Sequence, residues 1–334
     1  MSAVDVFVVT HNHGETIAAT LAALTAQSHT PDRVVLVDNG SRDPCVAIAR
    51  GFSRTLPLEV IARQDNCGFA AAANLALRRT DAPWVLALNP DCRLGPDYLA
   101  VLLLAAERFE RVGAATGLLL RAQGEALAPR DEVDSAGMVF TPAGRHLDRS
   151  AGRRPRAAWS EPAWVFGACG AAALYRRAAL EDVAYPGGEV FDEGFFSYRE
   201  DADLAWRLQR RGWCCLYWPA ARAWHRRGLR PEAARSGTPE INRHSVRNRF
   251  LLRWSNADWR WHLACFPWWL LRDVMVLTAC MTVERASWPG LAEAWALRRQ
   301  QRARGRANAA RALASSWRLA LWFYPGGRTR KVKV

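Results

Sequence analysis

The stretch Phe195-Phe196-Ser197-Tyr198-Arg199-Glu200-Asp201-Ala202-Asp203-Leu204-Ala205-Trp206-Arg207-Leu208 gathers three carboxylates at the head of an apolar repeat. Leu204, Ala205 and Leu208 recur at helical spacing. Asp201 stands three, four and seven residues before them, which places it on the same buried stripe. A carboxylate with one wet side and one apolar side is a candidate general base. Asp203 instead faces Arg207 at i,i+4, the spacing of an ordinary surface pair. Acids also favour a helix N-terminus for electrostatic reasons alone, so a structural reading of Glu200 and Asp201 stays open. That reading leaves unexplained an acid on the apolar stripe, preceded by aromatics on both sides of Ser197.

A second set of polar residues follows short apolar runs. Residues 4–10 break at His11-Asn12-His13-Gly14, and residues 33–37 end in Asp38-Asn39-Gly40-Ser41. Residues 58–62 lead to Asn66-Cys67-Gly68-Phe69, and residues 84–88 end in Asn89-Pro90-Asp91. Helical patterns lie between them, with Ile17, Leu21 and Leu24 in one and an alanine-rich run to Arg79 in another. Strands alternating with helices predict a doubly wound α/β fold with a parallel sheet. Ligands of such sheets bind beyond the carboxyl ends of the strands, where every one of these clusters falls. Neither Gly-x-Gly-x-x-Gly after the first strand nor a phosphate loop ending in Gly-Lys-Ser/Thr is present. That argues against nicotinamide enzymes and P-loop NTPases and leaves a nucleotide site made of polar turn residues and a metal.

Asp192-Glu193-Gly194-Phe195-Phe196 followed by Glu200-Asp201-x-Asp203-Leu204-x-x-Arg207 resembles the acceptor-side motif of family-two inverting glycosyltransferases, and more narrowly their rhamnosyltransferase-like branch in bacterial cell-surface glycan synthesis. The resemblance implies a GT-A fold, a Rossmann-like, mostly parallel sheet of the nucleotide-diphospho-sugar transferase type. It implies Asp201 as the base with Glu200 beside it, and Gly170, Asp203 and Arg207 on the acceptor side. Asp38 resembles the second-strand acid that contacts the donor base, although turn chemistry alone accounts for Asp-Asn-Gly equally well. Thr10, His11, Asn12 and Asn39 line the same implied donor pocket, and Asn66, Gly68, Phe69 and Asn74 match the family's Asn-x-Gly-x-x-x-x-x-Asn segment. Gly68 reads equally as a plain helix start. Asn89-Pro90-Asp91 occupies the place of the Asp-x-Asp metal motif, with Asn89 where the family has its first acid. A leaving nucleoside diphosphate gathers negative charge that a divalent ion can neutralise, and Mg²⁺ or Mn²⁺ binds through carboxylates, phosphates and water. His225, in the Trp224-His225 pair that follows a short strand pattern over residues 214–218, is the implied second metal ligand; a structural histidine is the alternative.

The middle of the chain is less regular. A helix is expected over residues 96–109, a strand over 112–120, and a partly ordered excursion over 123–163 that crosses the active site with a hairpin near 139–145. Phe166 to Arg177 resembles the family's small-residue strand, whose lack of bulk admits a ligand or a tight helix contact.

The chain has 334 residues, half of them hydrophobic, and a formal charge of +14. Residues 285–334 hold twelve Lys/Arg against a single acid, Glu293, so the excess sits mainly in the tail and suits an anionic membrane or nucleic acid. Eight cysteines with no Cys-x-x-Cys pair suggest neither a zinc site nor a disulfide framework. No basic leader with an apolar run is seen at the N-terminus, so a cytoplasmic location is expected. Tryptophans crowd residues 254–288, where Arg272 and Asp273 divide the apolar stretch 263–283 into pieces too short to span a bilayer unless the two charges pair and so allow a span. Helices lying in the membrane interface are expected there, with a Trp-cored helical subdomain as the alternative, and residues 328–334 read as disordered. The division expected is a catalytic domain over 1–235 and a membrane-associating helical region over 236–334.

The implied reaction is transfer of a deoxyhexose such as rhamnose, from a dTDP-sugar or alternatively a UDP-sugar, to a polyprenyl-linked glycan at the inner face of the membrane, with no nucleic acid partner. A sugar-1-phosphate nucleotidyltransferase would want a Gly-rich basic loop after the first strand. A non-catalytic nucleic-acid-binding protein would spread its basic residues over a folded face.

Overall fold

The computed structural model describes residues 1–227, 238–327 and 329–332. The valine-rich runs become strands because β-branched side chains suit a pleated sheet covered on both faces. β1 (Val4–Thr10), β2 (Arg33–Asp38), β3 (Leu58–Ala62) and β4 (Trp84–Leu88) are parallel, in the order β3-β2-β1-β4. The crossovers carry α1 (Ile17–Thr25), α2 (Cys45–Gly51) and α3 (Phe69–Leu77).

Past β4 the sheet turns mixed. β5 (Cys92–Leu94) precedes α4 (Tyr98–Glu107) and the long β6 (Val112–Gln123). The expected excursion holds β7 (Ala128–Ser135), which pairs with β6, and the hairpin of β8 (Met138–Phe140) and β9 (His146–Asp148). β10 (Ala163–Val165), β11 (Ala172–Arg176), α5 (Arg177–Val183), α6 (Glu200–Arg210) and β12 (Cys214–His225) follow. β11 runs antiparallel between β4 and β6, whereas β12 lies parallel to β6.

α1 and α4 bury Leu21, Leu24, Leu102 and Leu103, and α2 buries Cys45 and Ala49, on one face of the sheet. The alanines of α3 with Leu180, Leu204 and Leu208 cover the other. The C-terminal part is α7 (Pro239–Asn256), α8 (Trp259–Ala264), α9 (Trp268–Met281), α10 (Trp288–Ala310) and α11 (Ser316–Ala320). It closes onto α6 through an aromatic cluster in which Trp206 meets Phe323, Phe140 and Trp261 at 5.0, 5.4 and 5.6 Å.

The tryptophans divide between the two expected uses. Trp261 is core, while Trp259, Trp268, Trp288 and Trp295 are exposed. No described helix is long and apolar enough to cross a membrane. In the tail, Arg330–Lys331 forms a two-residue strand, β13, on the edge of β10, so that piece is ordered; residues 328, 333 and 334 lie outside the described residues.

Asp203 and Arg207 correct the sequence reading. They do pair at i,i+4, 2.8 Å apart, but in the interior rather than at the surface. Helical spacing says which residues share a face and not what covers that face. Here Ser255 and Asn256 at the end of α7 donate to Asp203, and Arg207 donates to the carbonyls of Val183 and Val190.

Candidate active site

The register of two strands brings the implied metal ligands together. β5 runs antiparallel to β12 with Cys92 opposite His225, so the preceding Asp91 reaches the imidazole. Asp91 Oδ1 lies 3.3 Å from His225 Nε2. On the other side His225 Nδ1 meets Asp134 Oδ2 at 2.8 Å, because β7 lies beside β6 and β6 beside β12. Burial disfavours the imidazolium, but the Asp91 and Asp134 carboxylates outweigh it and push the pKa up to about 10. The same charge acts against burial to hold Asp91 below the usual carboxylate range. Arg227 Nε contacts Asp134 Oδ1 at 2.7 Å and its Nη2 reaches Asp148 Oδ2 at 2.5 Å. The chain of contacts thus continues from Asp91 to Asp148, next to Asp201.

Asp201 begins α6 half-buried beside Gly170; a β-carbon on that glycine would stand 3.3 Å from Asp201 Oδ2. Small size at Gly170 therefore leaves room in front of the carboxylate. Burial, then the Asp148 charge, lifts the Asp201 carboxyl to about 6. Burial and Asp201 lift Glu200 to about 8, and Glu200 Oε2 has no hydrogen-bond partner. Asp201 is thus the acid of the pair that ionises first, at mildly acidic pH.

The loop before these acids is wound unusually. Phe196, Tyr198 and Arg199 have φ of 62°, 70° and 76°, a left-handed conformation costly for residues with a β-carbon. α7 holds it in place. Asn248 Nδ2 lies within 3.0 Å of the Phe195, Ser197 and Tyr198 carbonyls, and Arg247 Nη2 donates to Phe195 O at 2.6 Å.

The donor-side residues gather at the ends of β1, β2 and β4, as the topology demands. His11 Nδ1 sits 2.9 Å from the Asn39 carbonyl, and the exposed Asn12 accepts from Arg42 N. Asp38 Oδ2 accepts from Ser41 N, while its buried Oδ1 has no partner. Asn39 Nδ2 donates to Gly68 O, and Asn66 Oδ1 accepts from Gly68 N. Gly68 has φ 84°, and a β-carbon there would meet Phe196 O at 2.6 Å, so donor and acceptor segments interlock. Phe69 and Asn89 are half-buried at the same edge. Two residues of the set turn elsewhere. Thr10 is buried against Cys45 Sγ at 3.2 Å. Asn74 is buried and bridges α3 to the acceptor motif, donating to Phe191 O and Glu193 and accepting from Val190 N and Phe191 N. Both lack the open surface a donor contact needs.

Asp134, Asp148, Arg227, His13 and Asn248 were not singled out from sequence. His13 faces Asp91, whose charge opposes the lowering of its pKa by burial. The segment holding Asp134 and Asp148 was marked as an excursion over the site, but nothing in it pointed to those two acids.

Comparison with known proteins places the chain in a family and a fold type. The model of Glycosyl transferase family 2 matches residues 5–184. N-acetylglucosaminyl-diphospho-decaprenol L-rhamnosyltransferase of Mycobacterium tuberculosis is 34% identical over 244 residues, covering 66% of this chain and 75% of that protein. Among solved structures, GalNAc-T7 with UDP, GalNAc and Mn²⁺ superposes with a TM-score of 0.58 at 15% identity, over 76% of this chain and 51% of that one, so this chain spans about half of it. A mannosyltransferase of Pyrobaculum calidifontis in complex with GDP-Man and Mn²⁺ gives 0.52 at 19% identity, over 93% and 85%. The sheet and its helices are of the expected GT-A type, with a helical C-terminal region. With the family model matching more than half of its length, the chain belongs to glycosyl transferase family 2 and is a glycosyltransferase.

Proposed function

We propose that the protein is an inverting transferase that moves a deoxyhexose such as rhamnose from a nucleoside-diphosphate donor, dTDP favoured and UDP possible, to a hydroxyl of a polyprenyl-linked glycan. The observation that carries the reading is Asp201, half-buried beside Gly170, with a carboxyl lifted to about 6. Ionised at neutral pH yet basic enough to accept a proton, it suits removal of the acceptor hydroxyl's proton as that oxygen attacks the anomeric carbon. Kinship with the mycobacterial rhamnosyltransferase supports the donor sugar and the lipid acceptor. The unpartnered Asp38 Oδ1 supports a contact with the ring N–H of a thymine or uracil base.

Asp91 and His225 would hold a divalent ion only after His225 Nε2 gives up the proton it now shares with Asp91, so ion and proton compete for the same nitrogen. Their 3.3 Å separation is close to the ~3.0 Å between neighbouring ligands around Mg²⁺ or Mn²⁺ at about 2.1 Å. When bound, such an ion neutralises charge on the departing diphosphate. Asp134 orients the imidazole for that role by holding Nδ1. Glu200, Asp148 and Arg227 set the field around the base.

Residues 1–235 form the catalytic part in this reading, and 236–334 the membrane-associating part at the inner face of the cell membrane. On α8 and α9, Trp259, Leu263, Trp268, Leu271, Val274 and Met275 are each more than half exposed. Arginines flank the exposed tryptophans, as at Arg260–Trp259 and Arg298–Trp295, a combination suited to an anionic lipid surface. Membership in a glycosyltransferase family weighs against the nucleotidyltransferase and nucleic-acid readings.

The test is transfer from dTDP-rhamnose to a short-chain polyprenyl-diphospho-N-acetylglucosamine. Asp201→Asn should lower turnover by about 10²–10⁴-fold with nucleotide affinity unchanged. Equal loss of turnover and nucleotide binding would make Asp201 a structural residue, and no transfer by the wild type would refute the substrate assignment.

A further inference from the structure

Between the base and the apolar face of α9 lies a concentration of guanidiniums that the catalytic scheme does not use. Arg199 comes from the wound loop, Arg145 from the β8–β9 turn, Arg249 and Arg253 from α7, and Arg272 from α9. They are mutual neighbours: burial, then the Arg249, Arg145, Arg272 and Arg253 charges, pull Arg199 down to about 9. Asp273 answers part of this charge, bonding Arg253 and lying 3.7 Å from Arg249. Glu284 stands at one end of the cavity of about 330 Å³ that Arg249 and Arg272 line with Met275 and Val276. Among these described residues, five cations therefore stand beside two acids. Arg249 and Arg253 are more than nine-tenths buried. Arg199 Nη1, Arg249 Nη1, Arg253 Nη1 and Arg272 Nε are shut off from solvent with no hydrogen-bond acceptor among the described residues.

Burying donors without acceptors is costly, and an excess of guanidinium forks is the arrangement that phosphate oxygens satisfy. None of the five arginines lies on β1, β2 or β4, whose ends carry the donor-side residues. Arg199 is two residues from Asp201, and Arg272 is flanked by the exposed Leu271 and Val274. We propose that this cluster is the seat of the acceptor's lipid-borne diphosphate, with the acceptor sugar toward Asp201 and the polyprenyl chain along the apolar face of α9. The order base, cations, apolar helix then matches the order hydroxyl, diphosphate, lipid in the ligand. The inference rests on the lipid-linked acceptor proposed above.

The experiment measures binding of farnesyl diphosphate, inorganic diphosphate, farnesol and phosphatidylglycerol vesicles to the full chain. Arg145→Gln and Arg272→Gln are the informative variants, since neither side chain is deeply buried; Arg50→Gln, exposed on α2, is the control. Each informative variant should weaken farnesyl diphosphate roughly tenfold or more, leaving the nucleotide-induced thermal shift and the melting temperature unchanged. Farnesol and the vesicles should bind wild type and variants alike. The proposal falls if wild type does not bind farnesyl diphosphate or if both variants bind it as wild type does. It also falls if inorganic diphosphate binds as tightly, which would point to a free anion, or if vesicle binding drops in step, which would point to headgroups. Transfer assays run in parallel keep the two readings apart. Wild-type transfer with an unchanged acceptor KM in both variants would sink the diphosphate site alone; absence of transfer would sink the acceptor reading, and farnesyl diphosphate binding would still decide the site.

Discussion

Replacing Glu200 by Gln should raise the melting temperature, and by more at pH 8 than at pH 5. Glu200 is buried with one carboxylate oxygen unpartnered, and burial followed by the neighbouring Asp201 lifts its pKa from 4.5 to about 8. A raised acid contributes stability that is complete below the unfolded value and is lost as pH rises toward the folded one. Between those limits the unfolded chain has released a proton that the folded chain retains, so folding weakens by about 1.4 kcal/mol per pH unit. The cost is on the order of 1 kcal/mol at pH 5 and several times that at pH 7. Gln keeps the shape and the neutral form, so the variant escapes this loss. The corresponding gain in melting temperature is a few degrees for a chain of this size. The assay is thermal unfolding of wild type and variant from pH 5 to 9 in matched ionic strength. Asp201 remains in the variant and should leave a shallower slope below its own value of about 6. A variant that melts at or below wild type at pH 8 would refute the claim that an unsatisfied, buried acid is stored beside the base.

Asp91→Ala should abolish the metal dependence of nucleotide stabilisation, which in wild type at a hundred times the dissociation constant amounts to about 2.7 kcal/mol; persistence of the metal effect in a thermal-shift titration would remove Asp91 from the ligand set. Gly68→Ala forces a β-carbon to within 2.6 Å of Phe196 O at a φ of 84°, and should cost about 1–3 kcal/mol in denaturant unfolding together with most of the transfer activity. Normal unfolding and normal turnover would show that the donor and acceptor loops are not interlocked through that contact. Leu271→Ser with Val274→Ser removes two exposed apolar side chains and should weaken partition onto anionic vesicles by roughly tenfold or more. Unchanged co-sedimentation would mean that this face does not meet lipid.

The first hundred residues were legible because their information is local. Valine runs, turn residues and helical repeats specify β1 to β4 and put His11, Asp38, Asn66 and Asp91 at one edge without knowledge of any distant contact. The place of Asp201 at the head of a helix was legible from the helical repeat of Leu204, Ala205 and Leu208. Asp134, the other partner of His225, was not, since it lies 91 residues away and reaches it through two successive strand pairings. Asp203 and Asn74 show the same limit from the other side. Their side chains suited a surface pair and a donor contact, but α7 closes over one and the Val190–Glu193 segment wraps the other. Periodicity assigns a face, and the chain that covers the face comes from elsewhere. The exposed apolar surface of α8 and α9 was readable because composition carries it, whereas the guanidinium cluster needs four separate segments to be brought together.

The grip of Asn248 and Arg247 on the wound loop has a practical consequence for dissecting the chain. The carbonyls they hold precede Glu200 and Asp201 by only a few residues, so the C-terminal helices act as a jig for the chemistry as well as any membrane foothold. A polypeptide ending at residue 235 would keep the proposed donor-side residues, Glu200 and Asp201 in its sequence. It would lose what forces three non-glycine residues to stay left-handed, and the loop would be free to unwind. Nucleotide binding and sugar transfer should therefore part company on truncation, and grafting this nucleotide-binding half onto a foreign helical region would succeed only if the graft also supplies the two clamping side chains.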